Sequence, residues 1–305
     1  MPRLKTNGLE LEYDARGQGP PVLLIMGIGA QMLLWREGFC DLLASAGYRV
    51  IRFDNRDIGL STWLDGVRAP PPGKAVARAL AGLPVSSPYT LWDMAADTIG
   101  LMDALGIERA HVVGASLGGM IGQCLAIRHA ARLRSFTSIM STTGDRKVSV
   151  GRPRALAALL GRRPQTRDGV VDYFVQFTKA VSGSGYPPDL DETREMAGRL
   201  FDRAHHPAGF IRHLSAALAT GDRTAALRGV QVPTCVIHGD EDPLIPVRGG
   251  RATARAIPGA QLHVLRGLGH NLPPACWPTV VGWITDHLAD ADRAHGGSNG
   301  PDPIQ

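Results

Sequence analysis

The sequence predicts an α/β fold with a mostly parallel central sheet flanked by helices. Three observations predict it. Short apolar runs such as Val22-Leu-Leu-Ile-Met26 and Thr234-Cys-Val-Ile-His238 read as strands covered on both faces. They alternate with stretches of helical period, the rhythm of parallel strands joined by right-handed crossovers. A glycine-punctuated turn, Gly114-Ala-Ser-Leu-Gly118, joins one such strand to a helix rich in small residues. With 305 residues, 44% hydrophobic and 20% charged, the chain is long and apolar enough to bury a sizeable core.

Taken in order, Leu9-Glu-Leu-Glu-Tyr13 alternates as a half-exposed strand does, and Val22–Met26 is a buried strand ending in the loop Gly27-Ile-Gly-Ala30. Trp35 to Ala46 has helical period and stops at Gly47, and Arg49–Phe53 is the next strand. Ala69 to Pro88 is broken by prolines, with room for a short helix over Lys74–Leu80. Thr90 to Leu105 is a helix with a capping region at Thr90 and Asp93. His111–Ala115 is a strand, Leu117–His129 a helix and Leu133–Met140 a strand. From Gly144 to Gly229 the strands stop and helical stretches follow, over Arg154–Leu160, Val170–Val181, Leu190–Phe201 and Ala208–Ala219. This run is too long for one crossover and reads as a helical cap inserted over the carboxyl edge of the sheet. The α/β rhythm returns with strand Thr234–His238, helix Val247–Ile257, strand Gln261–Leu265 and a last helix over Pro274–Leu288. The expected division is a core of residues 1–143 and 230–290, a cap of residues 144–229 and a disordered tail of residues 291–305.

Composition excludes several classes. The net charge of +5 comes from arginines scattered among acidic residues, with only Arg162-Arg163 adjacent in a small cluster, so no nucleic-acid surface is expected. Cys40, Cys124, Cys235 and Cys276 each fall in an apolar pattern and read as buried free thiols. No apolar run reaches the length of a membrane span, and Met1-Pro-Arg-Leu-Lys5 is followed by no secretion-type apolar stretch. A cytoplasmic location is the expectation. Oligomeric state is not legible.

Ser116 stands at the tip of the G-x-S-x-G turn. A strand-to-helix turn this sharp strains the serine backbone and leaves no room for side chains at Gly114 and Gly118. It also lifts the hydroxyl clear of the sheet, with the Leu117 N–H at a helix N-terminus beside it. A nucleophilic serine needs a base, and the base needs an acid. Loops beyond strand ends offer both: Gly239-Asp-Glu-Asp242 with Pro243, and Gly267-Leu-Gly-His270. His238, His263, His205-His206, His213 and His287 fall in strands or helices and lack the loop position of His270.

These three segments, in the order serine, acid, histidine, resemble the triad signatures of the α/β-hydrolase fold family, and the likeness runs from about Leu9 to Leu288. The resemblance implies Ser116 as nucleophile, His270 as general base and acid, and Asp242 as the orienting acid, three residues after Gly239. Asp240 is the alternative acid. It also implies an oxyanion hole from the N–H groups of Leu117 and Ile28. The family's usual histidine before the first glycine of the latter loop is Met26 here. Asp54-Asn-Arg-Asp-Ile-Gly-Leu-Ser61 is similar to a family loop that carries glycine where this chain has Asp57; it reads as a support for the oxyanion loop. The same features are similar to bacterial esterases of the methyl-esterase type, which act on bulky polyketide-like or lipophilic esters.

The expected activity is therefore cleavage of small to medium lipophilic carboxylic esters, with a small-molecule ester as the partner. Carbon–carbon bond hydrolysis and cofactor-free perhydrolysis use the same triad and stand as alternatives, as does a ligand-binding scaffold without turnover. No cofactor is called for: the dinucleotide pattern G-x-G-x-x-G is incomplete at Gly27 and Gly29, and no His or carboxylate spacing suits a metal. Ser116 argues against the relatives that use an aspartate nucleophile. In the cap, Phe174, Phe177, Met196, Phe201 and Phe210 read first as packing between helices, with an apolar pocket lining as the alternative.

Overall fold

The computed structural model describes residues 2–296. The chain opens with strands β1 (Arg3–Thr6), β2 (Leu9–Arg16) and β3 (Pro21–Ile25), then helix α1 (Glu37–Ser45) and strand β4 (Arg49–Phe53). Helices α2 (Pro72–Leu80) and α3 (Leu91–Ala104) precede strand β5 (Ala110–Ala115), helix α4 (Leu117–Arg128) and strand β6 (Leu133–Ile139). Six helices then follow without a strand: α5 (Arg146–Ser149), α6 (Pro153–Leu160), α7 (Arg167–Val181), α8 (Leu190–Arg203), α9 (Pro207–Thr220) and α10 (Thr224–Leu227). The chain returns through strand β7 (Thr234–Gly239), helix α11 (Val247–Ala256), strand β8 (Gln261–Leu265) and helix α12 (Trp277–Gly296).

The eight strands form one sheet in the order β1-β2-β4-β3-β5-β6-β7-β8. β1, β2 and β4 pair antiparallel, and every pair from β4 to β8 is parallel. The central strands β3, β5, β6 and β7 are buried almost throughout, as their unbroken apolar runs require. Two cores cover the faces. One packs α3 and α4 on the sheet through Met94, Leu101, Ile121 and Phe136; the other packs α1 and α12 through Phe39, Leu43, Val280 and Ile284. Each such fully buried side chain contributes about 1.5–3 kcal/mol. The four cysteines are free and buried.

The termini hold one strand that the sequence did not show and one expectation that needs correction. β1 pairs with β2 at the edge of the sheet although Arg3-Leu-Lys-Thr6 is too short and polar to show a period. The expected tail from residue 291 is helical up to Gly296. Apolar spacing fades after Leu288, but Ala291 is buried, and the Asp292 carboxylate accepts hydrogen bonds from Arg134 and from the buried His111. Polar anchors of this kind leave no trace in hydrophobic period. Residues 297–305 of that expected tail lie outside the described residues.

The loop after β4 carries a substitution that the structure explains. Asp57 adopts φ 69°, a left-handed conformation in which the glycine of related loops is unstrained. The buried aspartate is held there by two hydrogen bonds from Arg212 of α9, at 2.9 and 2.6 Å, and by one from the Tyr89 hydroxyl at 2.7 Å. Arg212 is itself only 3% exposed. Removing one partner of a buried ion pair strands the other charge. Arg212→Leu is accordingly expected to lower the stability by about 3–5 kcal/mol, read as a shifted urea midpoint. A shift no larger than that of an exposed arginine variant such as Arg194→Leu would contradict this account.

Candidate active site

Ser116 sits between β5 and α4 with φ 54° and ψ −116°, a region that non-glycine residues seldom occupy. Its N–H is held by the Ile139 carbonyl at 2.9 Å, and its own carbonyl accepts from the Ser141 hydroxyl at 2.8 Å. A β-carbon at Gly114 would collide with the backbone of Gly118, and one at Gly118 would collide with the Ile25 carbonyl. The two glycines thus let the turn close and let α4 press against the end of β3.

The three expected side chains meet. The His270 Nε2 lies 3.1 Å from the Ser116 Oγ, and its Nδ1 lies 2.7 Å from the Asp242 Oδ2. Asp242 Oδ1 accepts two further hydrogen bonds, from the backbone N–H groups of Leu244 and Ile245, both at 2.9 Å. Burial alone would push the Asp242 carboxyl up. The His270 charge, with the nearby His238 and the hydrogen bond from His270, outweighs it and brings the pKa down to about 2. An ionised Asp242 calls for the proton on Nδ1 of His270, which leaves Nε2 to accept from the serine hydroxyl.

Asp240 does a different job: its Oδ1 accepts from the Gly267 N–H at 2.6 Å and so ties the acid loop to the histidine loop. The histidine loop is held from its other side by the end of α7. The His270 N–H donates to the Val181 carbonyl at 2.7 Å. A β-carbon at Gly269 would collide with that same carbonyl, which is why the loop reads Gly-Leu-Gly-His.

Leu117 opens α4, so its N–H has no carbonyl within the helix to bond. Ile28 lies in the loop after β3, where Gly27 backs onto Ser116: a β-carbon on Gly27 would stand 3.3 Å from the Ser116 Cβ. The Asp54 loop braces this segment at both ends. Asn55 Nδ2 donates to the Met26 carbonyl at 3.2 Å, and Asp54 Oδ1 accepts from the Met32 N–H at 2.8 Å. The arrangement can deliver a serine oxygen to an electrophile, take up its proton, and offer backbone donors nearby.

An apolar cavity of about 580 Å³ opens over Ser116 and His270. Phe174, Phe177, Met196, Phe201 and Phe210 all line it, which corrects their first reading as packing residues alone. Met196 also packs against Met32, and Phe177 against Val181 and Leu244, so the wall serves both ends. Helical period cannot tell a cap residue facing another helix from one facing a cavity. Arg163, counted from the sequence as part of a small basic cluster, turns inward: its guanidinium lies over the rings of Tyr173 and Phe210, 4.4 and 3.8 Å from their centroids. Burial lowers its pKa to about 10.

The alpha/beta hydrolase fold family model matches residues 20–273. The chain belongs to this family. Among its relatives, rhodomycin D methylesterase DnrP of Streptomyces peucetius is 29% identical, over 95% of this chain and 99% of that protein. A 2-hydroxymuconate semialdehyde hydrolase of Pseudomonas putida is also 29% identical, over 94% of each chain. In three dimensions the hydrolase resembles the meta-cleavage product hydrolase of Pseudomonas fluorescens IP01, with a TM-score of 0.73 and 22% identity over 95% of this chain and 98% of that one, a likeness of fold. No helix among the described residues is long and apolar enough to cross a membrane.

Two histidines set aside in the sequence for lacking the loop position of His270 contact the site. His238, fully buried at the end of β7, donates from Nε2 to the Ile245 carbonyl at 2.7 Å and stands 3.5 Å from the Asp242 carboxylate. Its place just before the Gly239-Asp-Glu-Asp segment was the available signal. His213 of α9 accepts from the Gly29 N–H, a contact 184 positions apart in the chain that no local pattern carries.

Because the folded Asp242 titrates near 2 and an unfolded aspartate near about 3.9, its carboxylate stabilises the fold above that higher value. That contribution fades as the pH falls from about 4 toward 2. Urea midpoints at pH 5 and pH 3 are expected to differ more for the native chain than for Asp242→Asn. Equal differences would mean that Asp242 is not held ionised.

Proposed function

We propose that this hydrolase cleaves carboxylic esters through an acyl-enzyme. Ser116 Oγ attacks the ester carbonyl carbon while His270 Nε2 takes the hydroxyl proton. The carbonyl oxygen becomes an oxyanion between the N–H groups of Ile28 and Leu117. Collapse breaks the bond to the alcohol oxygen, which leaves with the proton from His270. Water then attacks the acyl carbon while His270 takes its proton; collapse breaks the bond to Ser116 Oγ, which regains the proton from His270 as the acid leaves. Asp242 keeps the imidazole in the required tautomer and stabilises its charged form.

The observation that carries this reading is the unbroken chain of hydrogen bonds from Asp242 through His270 to Ser116 at the floor of an apolar cavity. Residues 144–229 form the cap in this reading, and their aromatic side chains receive the lipophilic part of the ester. The cavity of about 580 Å³ is large enough for a compact multi-ring compound. The relationship to rhodomycin D methylesterase supports a methyl ester as the bond cleaved. The equal identity to a 2-hydroxymuconate semialdehyde hydrolase supports carbon–carbon bond hydrolysis as the second reading.

Ser116→Ala is expected to abolish turnover of p-nitrophenyl butyrate and labelling by a fluorophosphonate, with an unchanged circular dichroism spectrum. Asp242→Asn is expected to lower kcat by about 10⁴-fold, and Asp240→Asn by far less. Retained turnover in Ser116→Ala would overturn the reading. Faster cleavage of 2-hydroxymuconate semialdehyde than of any methyl or p-nitrophenyl ester would favour the second.

A further inference from the structure

We propose that His213, a residue of the cap helix α9, is the positioning residue of the oxyanion hole. This rests on the ester-cleaving reading above. The donor expected from the loop after β3 is the N–H of Ile28, which lies in the Gly27–Ile28 peptide plane, and the Ile28–Gly29 plane that follows restrains it through the Ile28 dihedrals. The preceding plane is pinned because the Gly27 carbonyl accepts from the Ala30 N–H at 3.3 Å. The following plane is pinned by His213, whose Nδ1 accepts from the Gly29 N–H at 3.2 Å.

The histidine is itself fixed. Its Nε2 donates to the Arg56 carbonyl at 2.8 Å, so one neutral tautomer satisfies both partners. The ring is fully buried, and Tyr89 meets it edge-on with centroids 6.4 Å apart. Burial brings its pKa down to about 4, so the ring stays neutral while His270 works as a base. A protonated His213 would turn a donor toward the Gly29 N–H and break the link.

The rest of α9 fits against the same loops. Phe210 lies on Gly29: a β-carbon there would come within 2.8 Å of the Phe210 Cδ2. Gly209 meets the Asp57 backbone, and Arg212 holds the Asp57 carboxylate. One face of the helix therefore joins the oxyanion loop to the Asp54 loop. Met26 stands where the family's oxyanion motif usually has a histidine, and the cap supplies an imidazole to this loop from another part of the chain. Gly29 is itself exposed, so without that acceptor its N–H turns to water, and the peptide rotates with it. Displacements of about 1 Å in such a site cost as much as 10²-fold in rate.

The test compares His213→Asn, His213→Gln and His213→Leu in the full chain. Asparagine keeps an acceptor near the Nδ1 position, whereas glutamine keeps a polar group near Nε2 but not that acceptor. With p-nitrophenyl butyrate, His213→Asn is expected to keep kcat within about threefold. His213→Gln and His213→Leu are expected to lose roughly 10²-fold in kcat with KM nearly unchanged. The affinity for an alkyl boronic acid, whose adduct places an oxygen in the hole, should weaken by the same factor. Equal kcat for the asparagine and glutamine variants, or a change confined to KM, would overturn the proposal. Failure of the ester-cleaving reading looks different, since the native chain would then be inactive. In that case the ¹⁵N spectrum of His213 still decides the link: a protonated Nε2 with a bare Nδ1 supports it, and the opposite tautomer overturns it.

Discussion

Everything in the site depends on one close approach. At Gly118 the backbone of α4 rests against the Ile25 carbonyl at the end of β3, with no space for even a methyl group between them. This brings the first turn of α4, with its free N–H groups, next to the loop that carries Ile28. The same geometry forces Ser116 to φ 54°. A strained residue of this kind costs about 1–3 kcal/mol and persists only where its surroundings over-determine it. Here they do: β5 lies between β3 and β6, both ends of Ser116 are hydrogen-bonded to β6 or the segment after it, and the strand is buried throughout.

The helices between β6 and β7 do more than roof the cavity. α7 ends on the histidine loop through the Val181 carbonyl, and α9 lies on the oxyanion loop through Phe210 and His213. α8 reaches the same region: Arg203 pairs with the buried Asp54 at 2.6 Å and bonds Gln31 beside the oxyanion loop. Buried ion pairs such as Asp54–Arg203 and Asp57–Arg212 gain little net stability, because desolvation offsets their attraction. They do tie α8 and α9 to the Asp54 loop. The groups that the proposed mechanism uses, His270 and the N–H groups of Ile28 and Leu117, are held from the sheet side and from the side of these helices.

The parallel sheet was legible because its central strands are short apolar runs, and seven of the eight strands among the described residues could be read from such runs or from alternation. Ser116, Asp242 and His270 were legible for a related reason. Each stands on a loop whose glycines exist to let backbones touch, so the spacing records the geometry. β1 escaped because a short edge strand needs no apolar side chains. The last helix was cut short because the hydrogen bonds from His111 and Arg134 to Asp292 that extend it carry no apolar period. The cavity wall escaped most fully. Its aromatic residues repeat with the period of any packed helix, and only the third dimension separates those that face a neighbour from those that face a void.

The ten histidines show why a base cannot be found by residue type. Three of them, His213, His238 and His270, contact the loop that carries Ile28 or stand at the Asp242 carboxylate, and their partners assign each a different task. His213 has both nitrogens engaged, by Gly29 and by Arg56, and is left with no reactive lone pair. His238 spends Nε2 on the Ile245 carbonyl, while its Nδ1 is buried against Gly250 of α11, out of reach of any substrate. His270 alone among these three has one nitrogen bound to a carboxylate and the other open toward a hydroxyl at the cavity floor. Basicity at Nε2 is thus a product of what occupies Nδ1. The buried Asp242 is in turn kept ionised by the hydrogen bonds and charges aimed at it from β7, from its own loop and from His270. The base is therefore a property of the loop ends that converge on one carboxylate.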